Sequence, residues 1–217
     1  MLVAVVDSAT PAITAAAVRI EAGGAIEVLA ESVTVDGRAH GERLAPAIAS
    51  VLERAGAAPA DLTAIVVGLG PGPFTGLRVG LVTAATMSDA LGIPAYGVCS
   101  LDGYPAPGTV LVAADARRHE IYWAVYRDGV RETEPDVTKP GDLVLPEGVE
   151  AAIGDGAHRY ADVLGLPLIA EPRYPRPAAL AAAAADRVLA GAPGEQLTPL
   201  YLRRPDAVEP GARKSVS

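Results

Sequence analysis

The segment Gly68-Leu69-Gly70-Pro71-Gly72-Pro73-Phe74-Thr75-Gly76-Leu77-Arg78-Val79-Gly80 is where residue type and spacing most clearly suggest chemistry. An apolar run ends there in a glycine- and proline-rich turn that opens directly onto a helical pattern. Backbone N–H groups at such a helix start can receive an anion. No lysine follows the glycines, so neither the triphosphatase phosphate loop nor the dinucleotide fingerprint is matched, and a plain strand-to-helix connection competes with the anion reading. Two acidic strand ends come next, Asp7-Ser8-Ala9-Thr10 and Asp115-Ala116-Arg117, at the same point in each half of the chain. Carboxylates there can hold a metal ion or position a water in a nucleotide cleft; they are equally good turn formers. His40, His119 and His158 lie far apart, with no His-x-x-x-His or His-Glu-x-x-His pair, so no metal site is assigned. No Ser-His-Asp or Cys-His set assembles from local spacing and no catalytic residue is assigned, which leaves partners distant in sequence open. The single cysteine, Cys99, reads as a small core residue.

The elements that must position these residues follow from periodicity. Leu2 to Asp7, Ala12 to Ile20 and Ala25 to Val35 read as a three-stranded meander separated by Pro11 and Gly23-Gly24. From Glu42 the period changes to helical, with Leu44, Ile48, Val51, Leu52 and Ala55 on one face. His40-Gly41-Glu42 forms the helix start, where a carboxylate suits the dipole. A strand over Ala64 to Leu69, a helix over Phe74 to Leu91 and a strand over Pro94 to Cys99 complete a βββαβαβ order. The Phe74 helix carries only Arg78 and Asp89 as charges, which argues burial on more than one side. Its Gly76, Gly80, Ala84 and Ser88 form a small-residue stripe that suits close approach of another helix. A subunit interface is the favoured reading of that stripe, and packing within the same chain is the alternative.

A second passage restarts with paired strands over Val110 to Asp115 and Glu120 to Arg127. It continues with a loop over Glu134 to Gly148, a short strand near Ala151 to Gly154, a helix over His158 to Leu164 and an alanine-rich helix over Ala178 to Ala190. We expect an N-terminal lobe over 1–99, a C-terminal lobe over 100–204 and a disordered tail over 205–217. In a chain of 217 residues, half of them hydrophobic, the apolar runs stay far below the roughly 20 residues of a membrane span. The absence of a basic leader points to the cytoplasm. A formal charge of −8 argues against autonomous binding to a phosphate backbone.

Five blocks together carry a resemblance: Leu2 to Thr10, His40 to Pro46, Gly70 to Gly80, Asp115 to Arg117 and Pro199-Leu200-Tyr201-Leu202-Arg203. In that order the chain resembles the bacterial TsaB (YeaZ) family over about residues 1–204, and the Gly70 to Gly80 block is the specific part. The resemblance implies an α/β chain with the actin-like ATPase fold of sugar kinases and heat-shock chaperones, built from two ribonuclease-H-like lobes with mixed sheets. It also implies a non-catalytic partner of the TsaD-type threonylcarbamoyltransferase that forms threonylcarbamoyladenosine in tRNA. Pairing would use the first two helices, with His40, Leu44, Ile48, Phe74, Leu77, Gly80, Leu81, Ala84 and Ser88 as interface candidates. A homodimer alone, a TsaE-type ATPase as third component and tRNA contact only through the complex are further implications. A nucleotide cleft would draw on Asp7, Ser8, Thr10, Asp115 and Arg117, with ATP and magnesium in the complex and none held tightly by this chain alone. The family's usual hydroxyls are replaced by Ala9, Gly41 and Pro73, which removes donors from such a cleft. The alternatives are an ATPase or phosphotransferase using Asp7 and Asp115, and, least favoured, a glycoprotease-like peptidase. The short stretch from Ser100 to Pro107 leaves little room for a third full helix.

Overall fold

The computed structural model describes residues 1–203; the tail expected over 205–217 lies outside the described residues. Strands β1 (Leu2–Asp7), β2 (Ala12–Ile20) and β3 (Ile26–Val35) form the antiparallel meander. Helix α1 (His40–Arg54) leads to β4 (Ala64–Gly68), which joins β1 in parallel. Helix α2 (Phe74–Leu91) then returns the chain to β5 (Ala95–Val98), parallel to β4, and the sheet order is β3-β2-β1-β4-β5. A single 3-10 turn over Ser100–Gly103 follows.

The second sheet opens with β6 (Thr109–Arg117) and β7 (Glu120–Arg127), an antiparallel hairpin extended by β8 (Val130–Arg131) and β9 (Asp136–Thr138) on β7. Strand β10 (Ala151–Ile153) pairs in parallel with β6, as β4 does with β1. The segment read as a loop over Glu134 to Gly148 therefore contains a strand, which Ile121, Tyr122 and Trp123 of β7 pair into the sheet. The helix expected over His158 to Leu164 is two short helical pieces, α3 (Asp155–Arg159) and α4 (Ala161–Leu164), broken at Tyr160.

Burial explains these choices. The first sheet is covered on both faces, so β4 and nearly all of β1 read as continuous apolar runs rather than alternating ones. One face packs Val6, Ile65 and Val67 under Leu44, Ile48, Val51 and Leu52 of α1 and Leu77, Leu81 and Ala84 of α2. The other packs Val3, Val5 and Val66 under α5 (Pro177–Leu189) through Leu180, Ala181, Ala184 and Val188. Helix α5 comes from the half of the chain expected to form the second lobe, yet it completes the first. Its alanine-rich face allows the close approach that a strand surface of small and branched side chains requires.

The chain then runs along the edge of β5: the Glu195 amide donates to the Ala95 carbonyl at 2.9 Å, and the Leu200 amide to the Leu69 carbonyl at 2.8 Å. The Tyr201 ring stacks on Phe74 with centroids 5.3 Å apart, and Arg203 reaches the Ala116 carbonyl on β6 at 3.2 Å. Residues 195–203 thus strap the two sheets together. No helix among the described residues is long and apolar enough to cross a membrane.

Candidate functional site

The turn between β1 and β2, the starts of α1 and α2, and the tip of the β6–β7 hairpin meet around a cleft of about 490 Å³. Ser8, Thr10, His40, Phe74, Asp115 and Arg117, separate in sequence, all line it. Its walls are already committed. Ser8 Oγ donates to the Gly76 carbonyl at 2.8 Å and accepts the Gly80 amide at 2.9 Å. Nε2 of the buried His40 donates to the Thr10 carbonyl at 2.9 Å, while Thr10 Oγ1 accepts the Ala12 amide.

Asp7 does not open into this cleft. It is fully buried, accepting the Ser100 hydroxyl at 2.5 Å on one carboxylate oxygen and the Ala9 amide at 3.0 Å on the other. Burial pushes its carboxyl up to about 6, partly offset by those two hydrogen bonds. Gly68 beneath it has no alternative, because a Cβ there would lie 1.8 Å from the Asp7 carboxylate. Asp115, its counterpart in the second sheet, stands at the rim. It is paired with Arg159 at 3.0 Å, accepts the Tyr160 hydroxyl at 3.4 Å, and its amide donates to Asp155 at 3.3 Å. Burial and the Asp115 charge push the Asp155 carboxyl up to about 6. The two acidic strand ends, alike in sequence, are therefore not brought together as a metal or water clamp. Among the described residues no group of three or more His, Cys, Asp or Glu is placed to hold a metal ion.

The small residues after β4 also acquire a different meaning. A Cβ at Gly72 would lie 2.3 Å from the Ala9 carbonyl oxygen, one at Gly76 would lie 3.0 Å from the Ser8 carbonyl oxygen, and one at Gly80 would lie 2.5 Å from Ser8 Oγ. The block that suggested an anion site is the contact surface by which α2 seats on the β1–β2 turn. Gly72→Ala must displace backbone rather than a side-chain tip, and we expect a loss of about 2–3 kcal/mol in urea unfolding; an unchanged midpoint would refute this packing role.

The same geometry corrects the interface expectation. The stripe of Gly76, Gly80 and Ala84 faces its own sheet, and Leu44, Ile48, Leu77, Gly80, Leu81 and Ala84 are buried within the chain's own core. Ser88 is half-buried, its hydroxyl donating to the Ile93 carbonyl at 2.6 Å. Of the helix candidates Phe74 alone is well exposed, at 51 %. The outward face of α2 instead presents Phe74, Arg78, Val82, Ala85, Thr86 and Asp89, with Val82 63 % exposed. A groove of about 740 Å³ runs beside it to the strap residues Glu195, Leu197 and Pro199. An apolar circumference signals burial on several sides without saying which side is buried by the chain itself.

Sequence reasoning missed Ser100, Asp155 and Arg159, which carry no local motif. Tyr201 and Arg203 did have a signal, in the Pro199 to Arg203 block.

Two meander-based mixed sheets flanking a cleft at the end of β1 and β6 define a protein of the actin-like class. The family profile for TsaD, tRNA N6-adenosine threonylcarbamoyltransferase, matches residues 27–185, and the tRNA threonylcarbamoyladenosine biosynthesis protein TsaB of Bacillus subtilis is 38% identical over 105 residues, 46% of each chain. The crystal structure of YeaZ from Pseudomonas aeruginosa superposes with a TM-score of 0.77 at 25% identity, covering 93% of this chain and 99% of that one. The chain belongs to the TsaB (YeaZ) branch of that family. Uncharacterized mycobacterial proteins are similar at greater length: one from Mycobacterium bovis is 50% identical over 206 residues, 93% of this chain and 92% of the relative. One from Mycobacterium leprae is 50% identical over 208 residues, and there the chain spans only 56% of the relative's length.

Proposed function

We propose that this chain is the non-catalytic partner of a TsaD-type threonylcarbamoyltransferase in the formation of threonylcarbamoyladenosine in tRNA, acting in the cytoplasm. The observation that carries the proposal is the outward face of α2, where Val82 stands in water beside an apolar groove and Phe74 is half exposed at the helix start, while the opposite face is sealed in the core. Exposed apolar side chains continuous with a groove mark surfaces that another protein covers. A related chain of the same fold can present its own first two helices there, and a second copy of this chain can do so when the partner is absent. A TsaE-type ATPase joins the assembled pair, and tRNA is reached through it, in keeping with the net charge of −8. ATP and magnesium belong to the assembly: Asp7 is buried and Ser8 is committed to α2, so neither faces a ligand in this chain's cleft.

The test is the native mass of the chain by light scattering, alone and mixed with the TsaD-type protein of the same organism. A homodimer that converts to a one-to-one heterodimer is expected. Unchanged masses on mixing would overturn the proposal.

A further inference from the structure

Beyond the partner role, we infer that the recess between the α2 start, the β6–β7 hairpin tip and the 201–203 strap is a binding site for a phosphate-class polyanion. The recess has a volume of about 730 Å³ and is lined by Arg78, Arg117, Arg118 and Arg203, with Phe74, Tyr122 and Tyr201 as aromatic walls. No acidic residue among the described residues lines it, in a chain where acidic residues outnumber basic ones 26 to 18. It adjoins the 490 Å³ cleft, sharing Pro73, Phe74 and Arg117 with it, and it gathers four arginines where the cleft is lined by Arg38 and Arg117 together with Asp115.

The guanidinium groups arrive from three separate elements, and those of Arg78 and Arg203 are held in place. Arg78 lies 3.7 Å over the Phe74 ring, and its Nε donates to the Tyr201 hydroxyl at 2.9 Å. That leaves its two terminal nitrogens as the donor fork. Arg203 is fixed by the Ala116 carbonyl and by Glu120. Arg117, Arg118 and His119 are three consecutive non-glycine residues with left-handed backbone, φ 60°, 54° and 62°. A two-residue hairpin turn accepts that conformation most cheaply with Asn and Gly, so this tip carries bulky cations at positions where they are disfavoured. Burial pushes the Tyr122 phenol up; the nearby charges of Arg203 and Arg117 lower it and those of Glu120 and Asp115 raise it, which places both cations close to this wall. Planar forks converging from several directions match the oxygens of a phosphoryl group, which accepts paired N–H bonds from each. A single carboxylate would engage one fork only.

Sodium pyrophosphate is the probe, titrated calorimetrically into the full chain at fixed ionic strength. One saturable site is expected. Arg78→Gln and Arg117→Gln should each weaken it about tenfold, the factor corresponding to about 1.4 kcal/mol. Arg19→Gln, which removes an exposed cation paired with Glu27 on the far meander, should leave it within about twofold. Absence of saturation up to about 10 mM, equal weakening by Arg19→Gln, or equal affinity for citrate would each overturn the assignment. Because the isolated chain is used, failure here leaves the partner reading standing, and failure to form a heterodimer leaves this site standing.

Discussion

Ala84→Glu is expected to yield no soluble folded chain, whereas Val82→Glu, two residues away on the same helix, melts like the parent and fails to bind the proposed TsaD-type partner. Ala84 is 0 % exposed under β1 and β4, in the cluster with Val6, Ile65 and Val67. A glutamate there is both larger than the space and an unpaired charge in an apolar core. The penalty is about 4–5 kcal/mol or more, a large share of the roughly 5–15 kcal/mol that stabilises a domain. Val82 points the opposite way, 63 % exposed, so the same substitution changes stability by no more than about 0.5 kcal/mol. Buried at a partner surface, however, that carboxylate must be desolvated, and loss of the heterodimer in light scattering is the expected outcome. A soluble, native Ala84→Glu chain would mean the stripe is a surface after all. A Val82→Glu chain that still forms the heterodimer would place the partner elsewhere.

The second large effect is a pH dependence carried by Asp7. Its carboxyl stands at about 6 when folded against 3.8 in a free chain, because burial disfavours the charge. The folded state therefore holds a proton that the unfolded state has released between those values, and stability falls as pH rises. The contribution is whole below pH 3.8 and is lost as pH passes through about 6. At about 1.36 kcal/mol per pH unit this amounts to roughly 3 kcal/mol. Asp155, also raised to about 6, adds in the same direction. Asp7→Asn removes the buried charge and keeps an acceptor for the Ala9 amide, while its contact with Ser100 becomes a neutral one. We expect the Asp7→Asn chain to be more stable than the parent at pH 7.5 by about 1–2 kcal/mol in urea unfolding, with the gap closing by about pH 4. Parallel curves for the two proteins across this range would show that Asp7 does not titrate as placed. The result also bears on the site, since a carboxylate packed on Gly68 and bonded to Ser100 is not among the residues lining the cleft.

Much of the framework is legible in the residues. The meander, β4, α2 and β5 fall where apolar runs, turn residues and the change of period place them, and α2 spans Phe74–Leu91 as read. These are local properties, set by pleat, helical repeat and the glycines and prolines between elements. The restart at β6 is visible for the same reason. Strand β9 is not, because a three-residue strand has too few positions to show alternation.

The identities of the site residues are legible too, but their roles are not. Asp7 and Asp115 end equivalent strands, and only the tertiary structure buries one under Ser100, contributed from 93 residues away, and leaves the other at the rim against Arg159. A helix apolar all round gives no clue to its inward side, because its pattern has no preferred direction. That choice is made by Ser8, whose hydroxyl binds Gly76 and Gly80 across 68 and 72 residues of chain. Arg78, Arg117 and Arg203 are ordinary as letters and become a site through a strap that returns across both sheets. Short-range pattern is enough for the elements and the family, since both are written in neighbouring residues. The direction of each face and the company of each charge come from contacts between segments far apart in the chain, whose free energy exists only once the core has closed.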